Sequence, residues 1–164
     1  MSNKKQLICV FIPVISQNEV FLLGAKNKIK AKGNKSGSKN GSKETVRTLI
    51  NGTIEKYETP VAAAKRVMYD KFDIILDVDV PAKVFRTRSN DVKEVHYVYI
   101  DKLFDFEEFP LVNVASDIQE VILVNEDTEL TYDGESEVLA DFLDSDEIDE
   151  RFGEWEHVSK KSIA

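Results

Sequence analysis

A chain of 164 residues is the size of one domain with a single buried core. Hydrophobic residues make up 42% and charged residues 32%, the balance of an ordinary globular protein, and a net charge of -8 disfavours wholesale nucleic-acid binding. One cysteine, Cys9, and two histidines, His96 and His157, exclude an intrachain disulfide and argue against a zinc scaffold. This composition favours a reducing, cytoplasmic compartment.

The first apolar run, Leu7 to Ile15, is interrupted by Pro13 and falls short of the roughly 20 residues that cross a bilayer. Asn18-Glu19-Val20 follows where an export signal would place a small-residue cleavage site. The run therefore reads as a first strand, with no membrane role. Ser16-Gln17-Asn18 reads as a short turn and Glu19–Ala25 as the second strand of a hairpin.

Between Lys26 and Lys43 stand seven lysines and no acid, mixed with glycine, serine and asparagine. This stretch, placed at residues 26–44, reads as an inserted solvated loop. Its charge suits an anionic ligand or a nucleic acid, but it has no aromatic residue for base stacking, so nucleic acid is not the favoured partner.

Thr45–Ile50 reads as a strand broken by Asn51-Gly52. Thr59 suits a helix N-cap and Pro60 the first helical position, where a missing N–H costs nothing. Helix formers then continue to Phe72. Val80–Arg88 and Lys93–Asp101 read as a hairpin around Ser89-Asn90-Asp91. Leu103–Val114 reads as an irregular connection and Glu120–Asn125 as another strand.

From Asp133 to Glu156 there are eleven acids against Arg151 alone. Glu135–Leu143 carries apolar residues at helical spacing. Beyond it, residues 144–164 read as a mobile acidic tail with a short apolar anchor around Phe152 and Trp155. The order of strands, helix, strands, helix predicts a mixed sheet sandwiched between helices.

One constellation carries chemistry. Gly52 is followed after five residues by Glu58, and after seven more by Arg66-Val67-Met68-Tyr69-Asp70-Lys71-Phe72-Asp73-Ile74. This spacing resembles the Nudix box, in which Gly and Glu precede Arg-Glu-aliphatic-x-Glu-Glu-x-Gly-aliphatic. Gly52, Glu58 and Arg66 match by identity, Met68 and Ile74 by apolar type, and Asp70 by charge. Val67, Lys71 and Asp73 depart from the pattern. The resemblance spans Leu7 to Leu143. It implies an α/β (α+β) fold, a Nudix-like α/β/α sandwich occupying residues 1–143.

Nudix chemistry needs a divalent metal to neutralise phosphates and activate water, and magnesium takes oxygen ligands. Positions 67, 70 and 71 share one helical face. In the family that face bears metal-binding glutamates; here it bears an apolar group, one short carboxylate and an ammonium. Asp70 is the candidate metal ligand, and Glu58 and Asp70 are the candidate catalytic carboxylates. Gly52, Glu55, Arg66 and Lys71 are candidates for ligand binding. Structural readings stand beside these. Gly52 would make the turn after a strand, Glu58 and Arg66 would brace the loop, and Asp70 with Lys71 would be a surface pair. Glu55, Glu94, Asp117 and Glu120 are candidate substitute ligands.

Three functions are expected. The favoured one is a pseudoenzyme, a catalytically degraded Nudix-like domain that binds a nucleotide-like small molecule or a protein partner and holds no cofactor. The second is a divergent magnesium-dependent pyrophosphohydrolase of nucleoside diphosphate-linked compounds. The third is an interaction protein working through its basic loop and acidic tail.

Overall fold

The computed structural model describes residues 4–30, 43–108 and 120–162. Pro13 explains the first departure from the sequence reading. The apolar run forms two strands, β1 (Lys5–Phe11) and β2 (Pro13–Ser16). A proline cannot donate to a ladder and is tolerated at a strand's first residue. The chain changes neighbours there. β1 pairs with β4 and β6, whereas β2 pairs with β3 and β7. Gln17 and Asn18 both have positive φ, at 50° and 66°, which suits a tight two-residue turn between Ser16 and its register partner Glu19.

β3 spans Glu19–Lys30 and β4 spans Lys43–Thr53. Residues 26–30 and 43–44, expected in the basic loop, are therefore ladder residues, paired in register from Lys26↔Arg47 to Lys30↔Lys43. Backbone hydrogen bonding overrides the polar composition that suggested a loop. Residues 31–42 of the expected loop lie outside the described residues. Asn51-Gly52 does not break β4 either, because both pair with β1, as Cys9↔Asn51 and Ile8↔Gly52.

Helix α1 (Pro60–Phe72) begins as its sequence predicts. The Thr59 side chain accepts a hydrogen bond from Ala62 N, and Pro60 opens the first turn. At its other end Asp73 adopts φ 59°, while Asp73 N and Ile74 N donate to Tyr69 O and Met68 O. This left-handed cap usually takes glycine, and a short Asp side chain tolerates it. The Asp-for-Gly departure at position 73 is thus accommodated.

β5 (Ala82–Ser89) and β6 (Lys93–Ile100) form the expected hairpin, followed by β7 (Phe104–Asp105) and β8 (Glu120–Val124). The sheet order is β5-β6-β1-β4-β3-β2-β7, with β8 alongside β3. The β1–β6 and β2–β7 pairs are parallel and the rest antiparallel, which makes the sheet mixed.

Strand alternation divides the core into two layers. Ile8, Val10, Ile50, Val98 and Ile100 face α1 through Ala63, Ala64, Val67, Met68 and Phe72. Cys9, Phe11, Leu49, Tyr97 and Tyr99 face the other way, towards α2 (Asp133–Leu143) and α3 (Asp146–Ser162). Phe142 anchors that second layer, stacked on Phe11 at 4.1 Å and meeting Phe85 edge-on at 5.1 Å.

The expected mobile tail is helix α3. Ile148, Phe152 and Trp155 fall on one helical stripe and pack into the second layer. Asp146, Glu147 and Asp149 in its first turn complement the helix dipole. Arg151 donates to Asp101 at 2.9 Å and lies over the Trp155 ring at 4.5 Å. Lys83–Glu147 and Arg86–Asp141 pairs tie both acidic helices to edge strand β5. Among the described residues no helix is long and apolar enough to cross a membrane.

Candidate functional site

The strand–loop–helix unit of β4, residues 54–59 and α1 brings four of the sequence candidates together. Arg66 is the hub. Its Nε donates to Glu58 Oε2 at 2.9 Å and its Nη2 to Glu58 Oε1 at 3.1 Å. Nη2 also donates to Thr53 O at 2.6 Å, and Nη1 donates to Asp70 Oδ2 at 2.9 Å. Glu55 Oε1 stands 3.9 Å from Nη1. Glu58 closes the loop by accepting from Glu55 N at 3.0 Å, and Glu58 N donates to Glu55 O. The hydrogen bonds from Arg66 hold the Glu58 carboxyl below the usual range, and the Glu58 bond raises the guanidinium pKa in return. The fork geometry of arginine suits this bidentate clasp.

Gly52 is needed for a different reason than the expected turn. A Cβ there would lie 2.7 Å from Val67 Cγ2, so the Val67 side chain on helix α1 takes the space that a side chain at position 52 would need. Val67 is 2% exposed and fills the space over Gly52. The position that would carry a carboxylate in a Nudix box is thus core. Lys71 borders a small crevice with Asn27, Thr48 and Asn51.

These residues do not fit a resident magnesium ion. Position 67 is buried hydrocarbon, position 71 is a cation, and Glu58 and Asp70 both accept hydrogen bonds from Arg66. Among the described residues no group of three or more His, Cys, Asp or Glu side chains could hold a metal. Glu94 instead meets His96 at 3.1 Å, and Glu120 pairs with Lys26 at 3.7 Å. Asp117 lies outside the described residues.

A cavity of about 450 Å³ opens on the opposite face, between β1, β4, β6 and the start of α2. Leu7, Cys9, Val95 and Tyr97 supply its apolar wall. Glu135 lines it, with Oε1 accepting from Leu49 N at 2.7 Å. Burial pushes this carboxyl up to about 7, against the opposing effects of the Leu49 hydrogen bond and Lys93. Burial also raises the Cys9 thiol well above its ordinary value, helped by Glu135, and raises Tyr97 to about 12, so both stay neutral. Asn51, Arg88 and Lys93 also line the cavity. Arg88 is partly committed, donating to Gly134 O and to Glu137 Oε2.

Sequence reasoning missed this cavity apart from Gly52, which contributes to its lining. One signal was available. Glu135 falls in helical register with Val138, Leu139 and Phe142, all buried, which makes it an acid on an apolar stripe.

Comparison with solved structures decides the fold. A candidate NUDIX hydrolase from Listeria monocytogenes superposes with a TM-score of 0.55 at 16% identity, covering 84% of this chain and 90% of that one. The fold is Nudix-like. A candidate Nudix family member from Chromobacterium violaceum gives 0.56 at 9% identity, over 99% and 97% of the two chains. A bifunctional NMN adenylyltransferase/ADP ribose pyrophosphatase from Francisella tularensis gives 0.56 at 17% identity; 88% of this Nudix-like chain is covered but only 42% of that protein. No family model and no curated protein matches the sequence.

Proposed function

We propose that this Nudix-like domain binds a nucleotide-like small molecule without cleaving it. One observation carries the reading: the box carboxylates Glu58 and Asp70 both accept hydrogen bonds from Arg66, while Val67 fills the remaining seat with hydrocarbon. Metal-assisted hydrolysis requires carboxylates directed at a cation, and an internal guanidinium competes for the same oxygens. The box then serves as a brace, locking the β4–α1 loop against the sheet. Binding falls to surfaces outside that brace.

The test combines calorimetric titration with product chromatography, using magnesium and a panel of nucleoside monophosphates, diphosphates and diphosphate-linked compounds. Binding without turnover is expected. Magnesium-dependent cleavage abolished by Asp70→Ala would instead establish a divergent pyrophosphohydrolase and defeat the proposal.

A further inference from the structure

We infer that the cavity beneath the start of α2 is the ligand site, and that Glu135 reads a planar heterocycle presenting adjacent N–H donors while Lys93 holds a phosphate attached to it. The inference rests on the binding-module reading and gives it a location and a ligand class.

Size is the first argument. About 450 Å³ falls within the usual range of small-molecule sites, and an apolar wall stands beside polar groups such as Asn51, Lys93 and Glu135. Shape of chemistry is the second. Leu7, Val95 and Tyr97 offer apolar contact, which suits the face of an aromatic ring better than a sugar.

Glu135 is the third. A carboxylate accepts hydrogen bonds through two oxygens and about four lone-pair sites. The Leu49 N–H occupies one of them. Two parallel N–H groups on a ring edge match the remaining geometry, as in bidentate carboxylate recognition generally. Guanine carries such an edge, whereas adenine pairs a donor with an acceptor. Lys93, the first residue of β6, lines the cavity, and its field already acts on Glu135. A cation there suits an anionic substituent leaving the ring towards solvent.

Protonation gives a readout that a merely structural glutamate would not move. The groups facing Glu135 are Cys9 from β1, Tyr97 and Lys93 from β6, and Arg88 from β5, with Glu137 on its own helix paired to Arg88. Cys9 and Tyr97 remain neutral between pH 6 and 8, so guanosine, which lacks the phosphate that titrates at about 6, reports Glu135 in that window. Ring donors bind the ionised carboxylate. Affinity should therefore fall on acidification, by roughly tenfold from pH 8 to pH 6 for a carboxyl that titrates near 7 when the site is empty.

The experiment is calorimetric titration of the full chain with guanosine monophosphate, guanosine, adenosine monophosphate and inorganic phosphate at pH 8 and pH 6. Guanosine monophosphate should bind tightest, and guanosine should lose about tenfold at pH 6. Glu135→Gln should weaken the monophosphate at least tenfold and flatten the pH dependence of guanosine, and Lys93→Gln should weaken the monophosphate while leaving guanosine unchanged. Leu7→Trp, which fills the cavity, should abolish binding, and it decides the matter if Glu135→Gln fails to fold. Equal binding of all four probes, no binding of any, or affinities indifferent to Glu135→Gln and Leu7→Trp would overturn the inference. The two proposals fail separately. Nucleotide binding indifferent to the cavity variants defeats the location alone, whereas magnesium-dependent cleavage of a bound nucleotide defeats the non-hydrolytic reading alone.

Discussion

The two faces of the sheet use their polar groups in opposite ways. On the α1 face, Arg66 gathers Glu58, Asp70 and the Thr53 carbonyl into one closed cluster. On the α2 face, Glu135 and Lys93 line open space. The first face carries the family's motif and the second carries the cavity. Charge density alone therefore misleads: three charged side chains bonded to one another hold a loop, whereas the Glu135 carboxyl lines a cavity beside apolar side chains.

The largest expected effect attacks the α1 face directly. Val67→Glu restores the family's residue at a position only 2% exposed. It should destabilise the protein by about 3–5 kcal/mol, the scale of an uncompensated buried charge, without creating magnesium-dependent cleavage. Urea unfolding with an activity assay reads both. Recovered cleavage in a folded Val67→Glu protein would break the contrast between the faces.

Arg66→Leu should cost about 2–3 kcal/mol in the same unfolding measurement, because it leaves half-buried Glu58 without its charge-assisted partner. The Glu58 carboxyl is held below its usual range. Its share of stability is present above the unfolded carboxylate pKa and is lost as pH falls through the lower folded value. The gap between Arg66→Leu and the parent should accordingly narrow in acid.

Glu135 behaves with the opposite sign. Its folded pKa near 7 lies above the ordinary carboxylate value. The folded state holds a proton that the unfolded state has released, so stability falls as pH rises from about 4.5 to 7. Glu135→Gln should match the parent near pH 4 and exceed it at pH 8 by on the order of 1–2 kcal/mol, after allowing for partial exposure. Thermal melts across that range check it. A variant less stable than its parent at pH 8 would show that Glu135 belongs to the fold rather than to a site.

Gly52→Ala should cost about 1–3 kcal/mol by forcing Val67 aside, and Val67→Ala should relieve part of that strain in the double variant. The smallest effect is expected at the β5 edge. Lys83→Ala removes an exposed ion pair with Glu147 and should shift stability by less than about 1 kcal/mol.

Helix α1 was the most legible element, because Thr59, Pro60 and the run to Phe72 act locally. Strand existence was legible from Val and Ile enrichment, and the ends of β6 and β8 to within one residue, whereas the far end of β3 and both ends of β4 were not. Lys26–Lys30 looks like loop by composition yet pairs with β4, since ladder bonds belong to the backbone and follow the neighbouring strand. Helix α3 was hidden for a similar reason. Its acids read as tail until Ile148, Phe152 and Trp155 found the surface of the second core layer.

The sequence by itself determined the class of fold, through its alternating strands, its capped helix and the spacing from Gly52 to Ile74. It also determined that the box was incomplete, because Val67 and Lys71 are plain to read. Only the tertiary structure decided what the surviving residues do and where open polar space lies. Hydrogen-bond partners such as Arg66 with Glu58, or Glu135 with Leu49 N, are separated by 8 and 86 positions. Pairings across such separations depend on how helices dock on the sheet, and one-dimensional spacing does not encode that docking.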